Sequence, residues 1–207
     1  MNSDAPNTPD TDFKVAMTPE EIEMLSRHLV SGVSYLEFGS GGSTIFALER
    51  GARRCLSVES DPAWVDKLRQ NPVIRQAESN GRLTINCVDI GPVMDWGMPA
   101  NRSRLELWPN YFLPVWEKLD WVPEVVLIDG RFRTACGLAS FLVCPETTAI
   151  LMHDFYDALS IRKNYRSLLD VADIVEQQTN LVSLRRKPNV TATSLLSRLS
   201  AVWSDFA

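Results

Sequence analysis

Residues Val33 to Asp61 read VSYLEFGSGGSTIFALERGARRCLSVESD, and this stretch decides the fold. An apolar strand, Val33 to Phe38, runs into Gly39-Ser40-Gly41-Gly42-Ser43-Thr44 and then a helix to about Glu49. A second strand, Cys55 to Val58, ends on Glu59 and is followed by Ser60. Strand, glycine-rich turn, helix, strand and terminal acid is the opening of a nucleotide-type binding fold. Glycines let the backbone approach a ligand closely and take positive φ. The free N–H donors of the following helix start face the same spot.

A dinucleotide site requires G-x-G-x-x-G, and here the third position is Thr44. Glu37, two residues before Gly39, suits a cation such as an amino group better than a pyrophosphate. The E-x-G-x-G segment Glu37 to Gly41 resembles motif I of the class I S-adenosylmethionine-dependent methyltransferases. The resemblance implies an α/β, Rossmann-like fold: a mostly parallel seven-stranded sheet with helices on both faces and a C-terminal antiparallel hairpin. It implies S-adenosyl-L-methionine as cofactor. Glu37 would lie near its methionine part, Gly39, Ser40 and Gly41 along it, and Glu59 with Ser60 at the ribose. One family glycine is replaced by Ser43.

The later strands extend the pattern. Leu83 to Val88 ends in Asp89-Ile90, where the resemblance implies an acceptor for the adenine amino group and an apolar neighbour for the ring. Val125 to Ile128, aliphatic throughout as befits a strand covered on both faces, ends in Asp129-Gly130-Arg131-Phe132-Arg133. A helix is expected from about Thr134 to Val143. Ala149 to Met152 ends in His153-Asp154. These clusters lie at strand carboxyl ends, the edge where open α/β sheets bind ligands. An I-D-G ending and a later H-D ending look like the small-molecule O-methyltransferase branch. Relatives there often read D-G-x-H and hold a divalent metal. Here Arg131 puts a fixed positive charge in that neighbourhood, so no metal is expected.

Methyl transfer from a sulfonium is a direct displacement, and alignment supplies roughly 7–11 kcal/mol. A hydroxyl acceptor also needs a base. His153, Asp154 and Asp129 are the candidates by position. Arg131 and Arg133 either clamp an acidic acceptor bidentately or pair with acids of the protein. Between strands three and four, Pro92, Gly97, Pro99 and Asn101 mark turns, and a helix is expected over Pro109 to Leu119. Trp96 and Tyr111 are the candidate pocket residues of this connection; Phe112, Trp116 and Trp121 are assigned to packing.

Elsewhere, Thr18-Pro19-Glu20-Glu21 reads as a capping box, with His28 off the apolar face at the surface. Asp61-Pro62 caps a helix to about Gln70. A short helix around Lys163 to Leu169 precedes two strands, Ile174-Val175 and Leu181 to Leu184. The final helix, Ser194 to Phe206, packs on its own sheet or forms a homodimer contact, with self-packing expected.

The chain of 207 residues fits one domain, residues 17–207, after a flexible segment, residues 1–16. A net charge of −5 argues against generic binding to nucleic acid or acidic membrane, leaving a small-molecule acceptor as partner. Cys55, Cys87, Cys136 and Cys144 lack metal spacing, lie in apolar runs and read as reduced core residues. With no apolar signal region at the N-terminus, a cytoplasmic location is expected. The competing functions are a non-catalytic binding module and an NAD(P)-dependent reductase.

Overall fold

The computed structural model describes residues 13–157 and 160–206. Its main sheet has seven strands: β1 Ser34–Phe38, β2 Arg54–Glu59, β3 Leu83–Cys87, β4 Val125–Ile128, β5 Ala149–Met152, β6 Ala172–Gln178 and β7 Leu181–Arg186. Their spatial order is β3-β2-β1-β4-β5-β7-β6. β7 runs antiparallel to both of its neighbours, so β6 and β7 form the expected hairpin. The other pairings are parallel. The chain reverses direction across the sheet at β1 and β4, and the ends of these two strands carry the glycine turn and Asp129-Gly130.

Side chains alternate between two buried faces, as the pleat requires. Leu36, Phe38, Val58, Val126, Ile128 and Met152 share one cluster with the helix α5, given below, and the aromatics of the long connection. Tyr35, Cys55, Leu83, Val125 and Leu127 share the other with the N-terminal helices. α1, Pro19–His28, begins with the capping box: Thr18 accepts from the Glu21 amide and Glu21 accepts from the Thr18 amide. α2 is Gly42–Glu49 and α3 is Pro62–Leu68, capped by Asp61.

Several expectations are corrected. The helix expected to run from Asp61 to about Gln70 stops at Leu68, and an unexpected α4, Pro72–Ser79, follows, capped by Asn71. The helix expected over Pro109 to Leu119 is replaced by two 3-10 turns, Leu105–Tyr111 and Pro114–Lys118. Pro114, inside the expected span, lacks the N–H that an α-helical ladder needs and breaks it there. The short helix expected around Lys163 to Leu169 is present, as the 3-10 helix Lys163–Asp170. Cys87 is exposed, unlike the other three cysteines, because it sits where β3 emerges from the sheet. Short ribbons at Val93–Met94/Met98–Pro99 and Tyr156–Asp157/Ser160–Ile161 were not expected from the sequence.

α5, Arg133–Val143, covers the β4–β5 crossover. α6, Ala192–Val202, buries Leu195 and Leu199 against the same core, with Val202 and Trp203 partly buried beside it. Its apolar side is thus used within the chain. His28 is half-buried and hydrogen-bonds Glu176 at 3.1 Å. Of the segment expected to be flexible, residues 1–12 lie outside the described part. From Phe13 onward the chain is placed, with the Phe13 ring edge-on to Trp64 at 5.3 Å. No helix of the described residues is long and apolar enough to cross a membrane.

Candidate active site

The glycine turn is held by close backbone approach. Gly39 has φ +99°, and a Cβ there would stand 2.6 Å from the Gly130 nitrogen. A Cβ on Gly130 would meet the Tyr111 hydroxyl at 2.2 Å and the Gly39 nitrogen at 2.8 Å. The β1 and β4 loops therefore touch backbone to backbone, which only glycine permits at both positions. Space beside Gly41 is open: a Cβ there would meet nothing within 4 Å. Thr44, standing where a dinucleotide motif has its third glycine, has a structural task. Its hydroxyl accepts from the Gly41 amide at 2.9 Å and donates to Glu37.

Glu37 is fully buried beneath this turn. Its carboxylate accepts from the hydroxyls of Tyr35 (2.8 Å), Ser43 (2.9 Å) and Thr44. Burial pushes its pKa up to about 7, against the hydroxyl hydrogen bonds that favour the charged form. Glu37 thus anchors the turn from below. A proton bound more tightly in the folded state makes stability fall as pH rises from about 4.5 through about 7. Glu37→Gln is expected to remove that slope and to leave the variant more stable than wild type above pH 7, by on the order of 1–2 kcal/mol. Urea unfolding at pH 5 and pH 8 measures this; a slope unchanged by the substitution would contradict it.

Glu59 closes β2 and is nearly buried. It accepts from the amides of Ser40 (3.1 Å), Ser60 (2.6 Å) and Asp61 (3.0 Å). Burial raises its pKa despite these bonds. Oε1 is taken by the Ser60 and Asp61 amides with the Ser60 hydroxyl 3.4 Å away, whereas Oε2 accepts from the Ser40 amide and has room for one more donor. The Val93–Pro99 ribbon folds over this point: the Ser60 hydroxyl donates to the Gly97 carbonyl at 3.1 Å. A Cβ on Gly97 would come within 3.2 Å of the Glu59 carboxylate. Asp89 is exposed and accepts from the Gly91 amide at 2.8 Å, whereas Ile90 is buried in the core.

The β4 and β5 ends are joined by Arg133, which is nearly fully buried. It donates to the carbonyls of Gly130 (2.9 Å), Asp129 (2.9 Å) and His153 (2.6 Å). Its guanidinium also lies 3.2 Å from the carboxylates of Asp129 and Asp154. His153 Nδ1 is 3.0 Å from Asp129, and Nε2 is 3.4 Å from Glu21 of α1. Burial of His153 disfavours its charged form, yet Asp129, Asp154 and Glu21 outweigh it and raise the pKa. Asp154 is pulled the other way: burial is outweighed by Arg133, His153 and Arg162, and its pKa is lowered. Asp129, His153 and Asp154 have donor atoms within 4.8 Å of one another, a spacing that suits a cation. Arg133 already supplies a buried positive charge to both carboxylates, so this donor set fits a metal poorly.

The remaining candidates are more scattered. Tyr111 is fully buried, its hydroxyl 3.4 Å from the Val58 carbonyl and from the Arg131 amide. Trp96 is 84% exposed at the tip of its ribbon, with φ +64°. Arg131 is half-buried beside Tyr111. Sequence reasoning missed Glu21, which reaches the site from α1, and the structural use of Thr44. A capping-box Glu is a local signal and says nothing of a partner 132 residues away.

No protein-family model matches the chain, and no curated protein matches it. Solved structures do. A methyltransferase-like protein from Silicibacter pomeroyi is 28% identical, with a TM-score of 0.78 over 94% of this chain and 99% of that one. An O-methyltransferase from Bacillus cereus, crystallised with S-adenosylhomocysteine, is 15% identical (TM-score 0.51; 85% of this chain, 84% of that one). The C-terminal domain of a precorrin-6Y C5,15-methyltransferase from Rhodobacter capsulatus is 12% identical (TM-score 0.51; 87% and 97%). The chain has the class I methyltransferase fold.

Proposed function

We propose that this chain is an S-adenosylmethionine-dependent methyltransferase acting on a small-molecule acceptor, at oxygen. The observation that carries the reading is the pairing of an open glycine turn with Glu59 on a methyltransferase sheet. S-adenosylmethionine supplies an activated methyl group on its sulfonium. Gly39, Ser40 and Gly41 give the turn along which it binds. Glu59 takes a ribose hydroxyl at the free position of Oε2, and Ser60 fixes the Gly97 ribbon as a wall beside it. Asp89 is assigned to the adenine edge and Ile90 to the core beneath it. Glu37, sealed below the turn, shapes the backbone that faces the methionine part.

On the acceptor side, Asp129 takes the hydroxyl proton. Asp154 instead lies between Arg133 and Arg162, whose charges lower its pKa. His153 has both ring nitrogens facing carboxylates, so it orients Asp129. Positioning and a carboxylate base suffice for a displacement on an activated methyl. The test is mass-spectrometric detection of methylated product from a panel of phenols and hydroxy acids. Product is expected with wild type, falling about 100-fold with Asp129→Asn. Binding of S-adenosylhomocysteine without product from any acceptor would favour a non-catalytic binding module instead. Arg133's hold on both carboxylates is the observation that favours that second reading.

A further inference from the structure

Three buried side-chain atoms among the described residues have no hydrogen-bond partner: Trp108 Nε1, Arg131 Nε and the Tyr165 hydroxyl. Each can donate a hydrogen bond. A buried polar group without a partner costs stability, and such groups in a folded protein call for an explanation. All three belong to segments packed around the start of α5. Arg131 precedes Phe132, whose ring lies 5.4 Å from that of Trp108. Arg162, which stands over the Tyr165 ring, lies 3.7 Å from the Asp154 carboxylate that Arg133 also holds. The 3-10 turn of Tyr165 is tied to the start of α5 by the Thr134 hydroxyl, which donates to the Asn164 carbonyl at 3.2 Å.

Arginines outnumber carboxylates here, with Arg102, Arg131, Arg133 and Arg162 against Asp129 and Asp154, although the chain is net acidic. Arg131 forms no ion pair among the described residues, whereas Arg133 beside it is paired with Asp129 and Asp154. Arg102 stands 5.5 Å over the Trp108 ring and Arg162 stands 6.0 Å over the Tyr165 ring. Burial and the neighbouring Arg133 charge both make the Arg131 cation costly. An anion would relieve both and take the fork of N–H donors that guanidinium presents to an oxyacid.

We infer that Arg131 and Tyr165 form the anchor for an anionic acceptor, one that carries a carboxylate or phosphoryl group. This rests on the acceptor side of the function proposed above and narrows its substrate class. Arg131 directly follows Gly130 at the end of β4, so an anion held there keeps the rest of the molecule near Asp129.

The probes are benzoate, phenyl phosphate and the neutral analogue benzamide, titrated calorimetrically onto wild type, Arg131→Gln and Tyr165→Phe. Benzoate or phenyl phosphate should bind wild type and benzamide should not; which of the two binds tells carboxylate from phosphoryl. Arg131→Gln should weaken the bound anion about tenfold or more, as loss of a charge-assisted hydrogen bond does. Tyr165→Phe should weaken it severalfold while unfolding at the same or higher temperature, since it removes an unpartnered buried hydroxyl. That combination separates recognition from a packing role. Equal binding of benzamide, no binding of either anion, or an affinity unmoved by both substitutions would overturn the inference. S-adenosylhomocysteine titrated onto the same proteins should bind all of them alike. Its failure to bind wild type would count against the cofactor reading and leave the anion result standing on its own.

Discussion

Replacing Arg133 with methionine is expected to destabilise the chain by about 3–5 kcal/mol, the usual cost of removing one member of a buried ionic cluster. Methionine preserves much of the stem's packing. It removes the charge that Asp129 and Asp154 face and the donors used by the carbonyls of Gly130, Asp129 and His153. Those carbonyls terminate β4 and β5, so the loss strikes the sheet edge itself. Arg133→Lys should recover only part of the stability, because one ammonium cannot reach all five groups in the geometry of the planar fork. Urea unfolding followed by circular dichroism reads both. A loss under 1 kcal/mol for Arg133→Met would mean that water satisfies the cluster and that the clamp is dispensable.

Glu59→Ala is expected to weaken S-adenosylhomocysteine binding by about 10- to 100-fold, the range for hydrogen bonds to a charged group. Two effects combine. The variant loses the acceptor assigned to the ribose, and the amides of Ser40, Ser60 and Asp61 lose the carboxylate that draws the two loops together. Glu59→Gln separates them, because an amide oxygen still accepts from some of those amides but carries no charge. Its affinity should fall between wild type and Glu59→Ala. Affinity unmoved by either substitution would remove Glu59 from the cofactor site.

The sheet was legible in the sequence because burial on both faces leaves aliphatic strands, each ending at a polar residue or a turn. Val125 to Ile128 and Ala149 to Met152 are found within the limits read from sequence. The terminal hairpin was legible for the same reason, although β6 is longer than its apolar centre because its exposed side is polar. Asn71-Pro72 carried the same cap-and-proline signal as Asp61-Pro62, and α4 could have been read from it. In the long connection a helix was expected over Pro109 to Leu119, but Pro114 falls inside that span and splits it into two 3-10 segments.

The site was legible where it lies within one strand end and illegible where it spans several. Spacing pointed to Glu37 and Glu59 as candidates, but it could not reveal that hydroxyls from Tyr35, Ser43 and Thr44 seal the first of them. Asp129, His153 and Asp154 were brought together as their strand ends implied. The choice for Arg133 between acceptor clamp and internal ion pair depended on which way it turned at the start of α5, and it turned inward. Arg131, two residues earlier, forms no ion pair among the described residues, and nothing local in the sequence decides that.

The central claim is that the corner between β1 and α2 holds an adenosyl amino acid. Isothermal titration of S-adenosylhomocysteine onto the wild-type chain, with NADH as the control ligand, tests it directly. Saturable one-site binding of S-adenosylhomocysteine and no heat from NADH is the predicted result. Saturable NADH binding, or no binding of S-adenosylhomocysteine to the folded chain, would contradict it.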